Sequence, residues 1–159
     1  MICAYFPSIA WFKMTTIVYR DGVLAADSRG YSGDATPIGN KLKIHKLKDN
    51  SLVGVTTAHP GLSEQITNWL NDGARPEEIP DTDPDFAALH ITQDGVFYYC
   101  DNYTPSGPLS SDYYAIGSGC KYAYGALGMG ANAEKAIKIA MQFDVFSGGE
   151  VTSLKFDQK

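Results

Sequence analysis

The chain has 159 residues, 44% of them hydrophobic, and thirteen Lys and Arg against eighteen Asp and Glu give a formal charge of −5. That length fits one compact domain with a substantial core, while mild acidity without a basic cluster argues against nucleic acid as the main partner. No apolar run approaches the ~18–20 residues that cross a bilayer, and three cysteines (Cys3, Cys100, Cys120) without CxxC spacing define no disulfide framework, which suits a reducing cytoplasm.

The first fourteen residues, MICAYFPSIAWFKM, are apolar and end in a second methionine, Met14. A secretory signal carries positive charge before its apolar stretch and small residues after it, whereas Lys13 comes late. Three readings stay open: a start assigned too far upstream, a removable propeptide, or an N-terminal strand. The first two give a working chain that begins at Thr15.

From Thr15 onward the pattern is β-like. Thr16 to Tyr19 runs into Asp21-Gly22, a strong two-residue hairpin signal, and then Val23 to Asp27. A loop over 28–40 leads to Lys41–Leu47, which alternates with period two, and a polar turn separates it from Leu52–Thr57. Leu62, Ile66, Trp69 and Leu70 fall at helical spacing and predict a helix over 61–70. A Pro- and Asp-rich loop over 71–85 precedes a second hairpin, Ala87–Gln93 and Val96–Cys100 about an Asp94-Gly95 turn. After a loop over 102–112 come a strand at Tyr113–Ile116, the turn Gly117-Ser118-Gly119, helices over about 119–129 and 132–144, and a strand at 151–156. Asn132 suits the N-cap of the second helix. Strands first, then a helix, a strand pair, a helix pair and a last strand describe layered α+β rather than βαβ units, in one domain over 15–159.

Several residues stand out chemically. If Asp21-Gly22 forms a two-residue loop, Arg20 faces Val23, and stepping back brings Thr16 opposite Asp27, which places a carboxylate beside Thr15. An ordinary edge-strand Asp fits the same pattern. On the last helix Ile137, Ala140 and Met141 form the apolar face, and Asp144 continues that face into the last turn, where an acid opposes the helix dipole. Ser147-Gly148-Gly149 follows, a tight turn able to aim a hydroxyl and backbone N–H groups at the same spot; a plain helix-terminal Asp before a glycine turn is the simpler reading. Gly117-Ser118-Gly119 is neither a nucleophile elbow, since G-x-S-x-G fails at Ile116, nor a phosphate loop, since no G-K-[ST] follows. Asp81 to Asp85 opens like a calcium loop, but Phe86 replaces the required Gly and Thr92 the closing Glu. His45, His59 and His90 lack metal-ligand spacing, so no metal site is expected.

Together, Thr15-Thr-Ile-Val, Ala-Ala-Asp27-Ser-Arg29, the Lys43 strand, Gly-Ser118-Gly and Asp144-Val-Phe-Ser147-Gly-Gly resemble, in order and over 15–156, the proteasome β-subunits and the related HslV peptidases. The resemblance implies a four-layer αββα sandwich of the N-terminal-nucleophile hydrolase type. It further implies Thr15 as the nucleophile of a threonine endopeptidase, Lys43 as the lysine beside it, Asp27 as the acid that orients the lysine, and Ser118, Asp144 and Ser147 as the network around the amine. Thr57 would line the pocket for the residue before the cut. The family glycine whose N–H forms the oxyanion hole falls on His59, with Pro60 next. The resemblance also implies unfolded polypeptide as substrate, a homo-oligomeric stacked ring, an ATP-dependent unfoldase or cap, a cytoplasmic setting and no cofactor. Segment 61–85 is short and holds one helix where the family usually has two, and Met14 stands where β-precursors have glycine, so methionine removal from a start at Met14 is the natural route to a free Thr15. A catalytically silent ring subunit and an amidase acting on small amides are the alternatives.

Overall fold

The computed structural model describes residues 13–32, 34–80 and 84–157. The Asp21-Gly22 turn forms as the sequence predicts, with φ of 50° and 75°, the pair of left-handed conformations that a type I′ hairpin demands. It joins β1 (Thr16–Arg20) to β2 (Val23–Ala26) in the expected register, Arg20 opposite Val23 and Ile17 opposite Ala26. β10 (Tyr113–Gly117) pairs with the other edge of β1 and β11 (Thr152–Lys155) with the other edge of β2, which gives an antiparallel sheet of order β10-β1-β2-β11.

The second sheet has the order β5-β6-β7-β8-β9: Ile44–Lys46, Leu52–Thr56, Ala87–Thr92, Gly95–Cys100 and Ser106–Leu109. Three expectations change here. Thr92 pairs with Gly95, so the β7–β8 turn is Gln93-Asp94, one residue earlier than Asp94-Gly95. The strand expected over 41–47 is limited to β5: Lys43 still accepts the Val55 N–H at 3.3 Å, while Lys41 donates its N–H to the Ser28 carbonyl instead. The loops over 28–40 and 102–112 contain strands, β3 (Arg29–Tyr31) paired with β4 (Pro37–Asn40) in a separate ribbon, and β9 on the sheet edge. β4 and β9 are exposed throughout, so no alternation of apolar residues marks them.

α1 (Leu62–Asn71) buries Leu62, Ile66, Trp69 and Leu70 against the outer face of the second sheet, with Val53, Val55, Phe86 and Ala88. α2 (Cys120–Gly128) and α3 (Ala133–Phe143) cover the outer face of the first sheet, Ile137 and Ala140 packing on Val18 and Ala25. The Asn132 side chain accepts the Lys135 N–H and caps α3. Between the sheets lie Ile17, Leu24, Ile44, Leu52, Leu89, Ile91 and Ile116. Each such buried side chain stabilises the fold by roughly 1.5–3 kcal/mol. The layers therefore run helix pair, sheet, sheet, helix, which is the expected αββα sandwich. Among the described residues the outer layer on the second sheet holds α1 and a 3₁₀ turn at Pro76–Glu78. No described helix is long and apolar enough to cross a membrane.

Candidate active site

The site lies where β1 begins, between the end of β2, the approach to β5, the β10–α2 turn and the loop after α3. Thr15 is 3% exposed and immediately precedes β1. Alternation along that strand sends Ile17 into the space between the sheets and Thr16 and Val18 toward the helix pair. Residue 27 closes the hairpin as the register predicts: Asp27 N–H donates to the Thr16 carbonyl at 3.2 Å, and Thr16 N–H donates to Asp27 Oδ1 at 2.9 Å.

Asp27 is completely buried and organises three segments at once. Its Oδ2 receives Lys43 Nζ at 3.0 Å and Gly148 N–H at 2.9 Å, besides the Thr16 bond on Oδ1. Burial pushes the Asp27 carboxyl above its ordinary range, against Lys43 and the two backbone donors. Burial likewise lowers Lys43, against the pull of Asp27. Lys43 Nζ also donates to the Met14 carbonyl at 3.2 Å, so the ammonium sits on the peptide group that Met14 shares with Thr15.

On the other side of Thr15, its N–H donates to Ser118 Oγ at 3.3 Å. Ser118 Oγ lies 2.6 Å and Ser147 Oγ 2.5 Å from the same Asp144 oxygen, Oδ2, while Asp144 Oδ1 accepts the Phe146 N–H. A hydroxyl has one proton, so with Ser147 donating to Asp144 the 2.7 Å contact between Thr16 Oγ1 and Ser147 Oγ runs from Thr16 to Ser147. α3 stops at Phe143, and Asp144, expected in its last turn, is the extended C-cap; its inward aim survives, and it is 7% exposed. The six predicted residues fall into two hydrogen-bonded groups, Thr15–Ser118–Asp144–Ser147 and Lys43–Asp27, which Thr16 joins through its N–H to Asp27 and its hydroxyl to Ser147.

A cleft of about 190 Å³ opens beside Thr15, lined among others by Arg29, Lys41, Lys43, Thr57, Ala58 and His59. The Thr57 hydroxyl donates to the Asp85 carbonyl at 2.6 Å and accepts the His59 N–H at 3.1 Å. The backbone donor that the resemblance assigned at His59 is therefore engaged by a side chain in this state. Three participants, Thr16, Arg29 and Lys41, carry no role in the sequence reading, whereas backbone N–H groups from the Ser147-Gly148-Gly149 turn are expected there. Thr16 extends the hydroxyl relay; its signal is a polar residue in phase with buried Val18. Gly148 provides the N–H on Asp27, its carbonyl receives the Ser28 and Arg29 N–H groups, and a Cβ there would lie 2.4 Å from the Arg29 guanidinium carbon. Arg29 and Lys41 add positive charge to the cleft, and both flank motifs that drew attention for other residues.

Superposition shows the fold: the chain has the N-terminal-nucleophile hydrolase fold seen in HslV. No family model matches it. In particular, it is 26% identical over 152 residues to the probable proteasome subunit beta type-5 of Schizosaccharomyces pombe, covering 88% of this chain and 52% of that protein. The chain thus spans about half the length of the curated relative it matches. Among solved structures, it superposes on Thiobacillus denitrificans BPH in complex with epoxomicin with a TM-score of 0.62 and 22% identity, over 90% of this chain and 98% of that one. The corresponding figures for eukaryotic HslV from Trypanosoma brucei are 0.60, 19%, 89% and 98%.

Proposed function

We propose that the protein is a threonine-type endopeptidase with Thr15 as nucleophile. The observation that carries this reading is the placement of Thr15, hydrogen-bonded to the Ser118–Asp144–Ser147 group on one side, while on the other the Lys43 ammonium, held by Asp27, sits on the carbonyl of the Met14–Thr15 peptide. The chemistry starts once the Met14–Thr15 bond is broken, because an alcohol needs a base and the freed α-amine, with a reference pKa near ~8, is the base at hand. The Thr15 Oγ proton passes to that amine as Oγ attacks the scissile carbonyl. Collapse of the adduct breaks the C–N bond, the amine returns the proton to the leaving nitrogen, and an ester remains. Water, deprotonated by the same amine, hydrolyses the ester. Lys43 stabilises negative charge developing on Thr15 Oγ, Asp27 fixes the ammonium, and Ser118 receives the amine N–H. No cofactor takes part.

Unfolded polypeptide is the proposed substrate, processed in the cytoplasm inside a homo-oligomeric stacked ring fed by an ATP-dependent unfoldase or cap. The exposed apolar side chains Met129, Val145 and Phe143, 90%, 75% and 61% exposed, are available for such assembly. A silent ring subunit is the competing reading, and the engaged His59 N–H with Pro60 beside it favours that one. Treatment with epoxomicin followed by intact mass and N-terminal sequencing separates them. A peptidase shows a chain that begins at Thr15 and gains one inhibitor mass, and Thr15→Ala gains none. A chain that keeps Met14 and stays unlabelled is the silent subunit.

A further inference from the structure

Beside the catalytic set lies a second, differently built site. Lys13 Nζ, two residues before Thr15, is held by Asp101 Oδ1 at 2.9 Å, the Phe86 carbonyl at 3.1 Å and Asp85 Oδ1 at 3.7 Å. The cradle is fixed independently of its occupant. Asp101 has φ of 52°, its N–H donates to the Phe86 carbonyl at 2.9 Å, and its Oδ1 accepts the Phe86 N–H at 3.0 Å, which locks the end of β8 onto the start of β7. Phe86 itself is completely buried. His59 Nε2 stands 3.8 Å from the other Asp85 oxygen, so the cradle adjoins the Thr57–His59 side of the cleft. The Lys13 backbone is equally ordered, since its carbonyl accepts the Ser118 N–H at 3.0 Å, in line with β10.

Two carboxylates and a carbonyl converge here on one ammonium, and none of them belongs to the hydrogen-bonded set around Thr15. The proposed reaction requires that Lys13 and Met14 be gone. Their loss leaves the three oxygens aimed at a vacated cation position that a lysine two residues from Thr15 can reach. The same loss frees the Ser118 N–H to bind an extended backbone. We propose that Asp101, Asp85 and the Phe86 carbonyl form a subsite for a basic side chain of the substrate, Lys or Arg, within two residues of the cleaved bond, and that Lys13 fills this subsite in the unprocessed chain. This specificity rests on the peptidase reading. The occupancy by Lys13 does not.

The test has two arms. In the full uncut chain, residue-resolved acetylation with an amine-reactive ester measures how well the cradle holds an ammonium. Lys13 should react several times more slowly than in Asp101→Asn, which keeps the Oδ1 acceptor for Phe86 N–H and tolerates the left-handed backbone. Equal reactivity overturns the cradle. In the processed protein, peptide pairs differing only by Lys or norleucine at each of the two positions either side of the cut give the preference in kcat/KM. We expect a preference for Lys of about three- to tenfold at one position, reduced to within about twofold of unity in Asp101→Asn and Asp85→Asn. A preference unaffected by both variants, or absent from the native protein, overturns the subsite while Thr15 still accepts epoxomicin. Loss of that labelling instead marks failure of the peptidase reading and removes the substrate subsite with it, leaving Lys13 protection to decide the cradle.

Discussion

At the scale of single residues, the most consequential feature is a carboxylate with no exposure to water and three donors, one of them an ammonium that is itself buried. Burying both charges is costly, and removing one strands the other. Lys43→Met should therefore act twice. It should lower peptide hydrolysis by at least about a hundredfold, by removing the positive charge beside Thr15, and destabilise the chain by about 3 kcal/mol, by leaving Asp27 with backbone donors alone. The double variant Asp27→Asn/Lys43→Met separates the effects: urea unfolding should show part of the stability regained, the amide accepting one of the two backbone N–H bonds, with hydrolysis still lost. Recovery of activity in the double variant would show that Lys43 serves only to neutralise Asp27.

Among the elements, the β10–α2 turn sets the tightest limits. Gly117 has φ of 95°, and a Cβ there would lie 2.0 Å from the Thr15 carbonyl oxygen; at Gly119 it would lie 2.0 Å from Thr16 Oγ1. A methyl group would thus strike the Thr15 backbone at Gly117 and the Thr16 and Asp144 side chains at Gly119. Gly117→Ala and Gly119→Ala should each destabilise by about 3 kcal/mol or more. Gly125, exposed on α2 with nothing within 4 Å, offers the contrast: Gly125→Ala should stabilise by about 0.5–1 kcal/mol. Thermal unfolding of the three variants side by side checks both signs. From sequence alone, Gly117-Ser118-Gly119 reads as a flexible connection. Its rigidity comes from what crosses it, the Lys13–Thr16 backbone and Asp144, all distant in the chain. The same cause hid β4 and β9, whose exposed residues carry no alternating pattern and whose pairing is supplied by neighbours. Local signals did define the elements with their own chemistry: the type I′ hairpin, the Asn132 cap, and the apolar stripes of α1 and α3. The six candidate residues could be singled out because their motifs resemble a family in register. The Thr16 hydroxyl and the Lys13 cradle were not, because each acts through a contact that exists only once the sheets and loops are assembled.

For the whole molecule, the sandwich carries imidazoles in partly buried positions on its second sheet, and these couple the stability of the layers to pH. His90 on β7 contacts Ser51 Oγ at 2.8 Å, while Ser51 donates to Asp49 Oδ1 at 2.6 Å, so the His90 Nε2 carries the proton that faces Ser51 in the neutral ring. Burial lowers the His90 pKa below 6.5, with Asp49 opposing, and burial lowers His45 on β5 in the same direction. A base whose folded pKa is depressed binds protons more readily when the chain is unfolded. Stability therefore rises with pH across this window and is lost as pH falls from about 6.5 toward the folded values. Asp27, raised by burial, contributes the opposite sign, but from its own folded pKa downward. The urea midpoint should accordingly drop between pH 7.5 and 5.5. His90→Gln keeps a donor for Ser51 and removes the titration, so its midpoint should change less over that range than the native one. His45→Gln should do the same, and the double variant should be flatter than either, since the two residues lie on either side of Val53, two strand spacings or about 10 Å apart. A native midpoint that holds steady over this range, or a double variant as steep as the native chain, would assign the acid response to carboxylates instead.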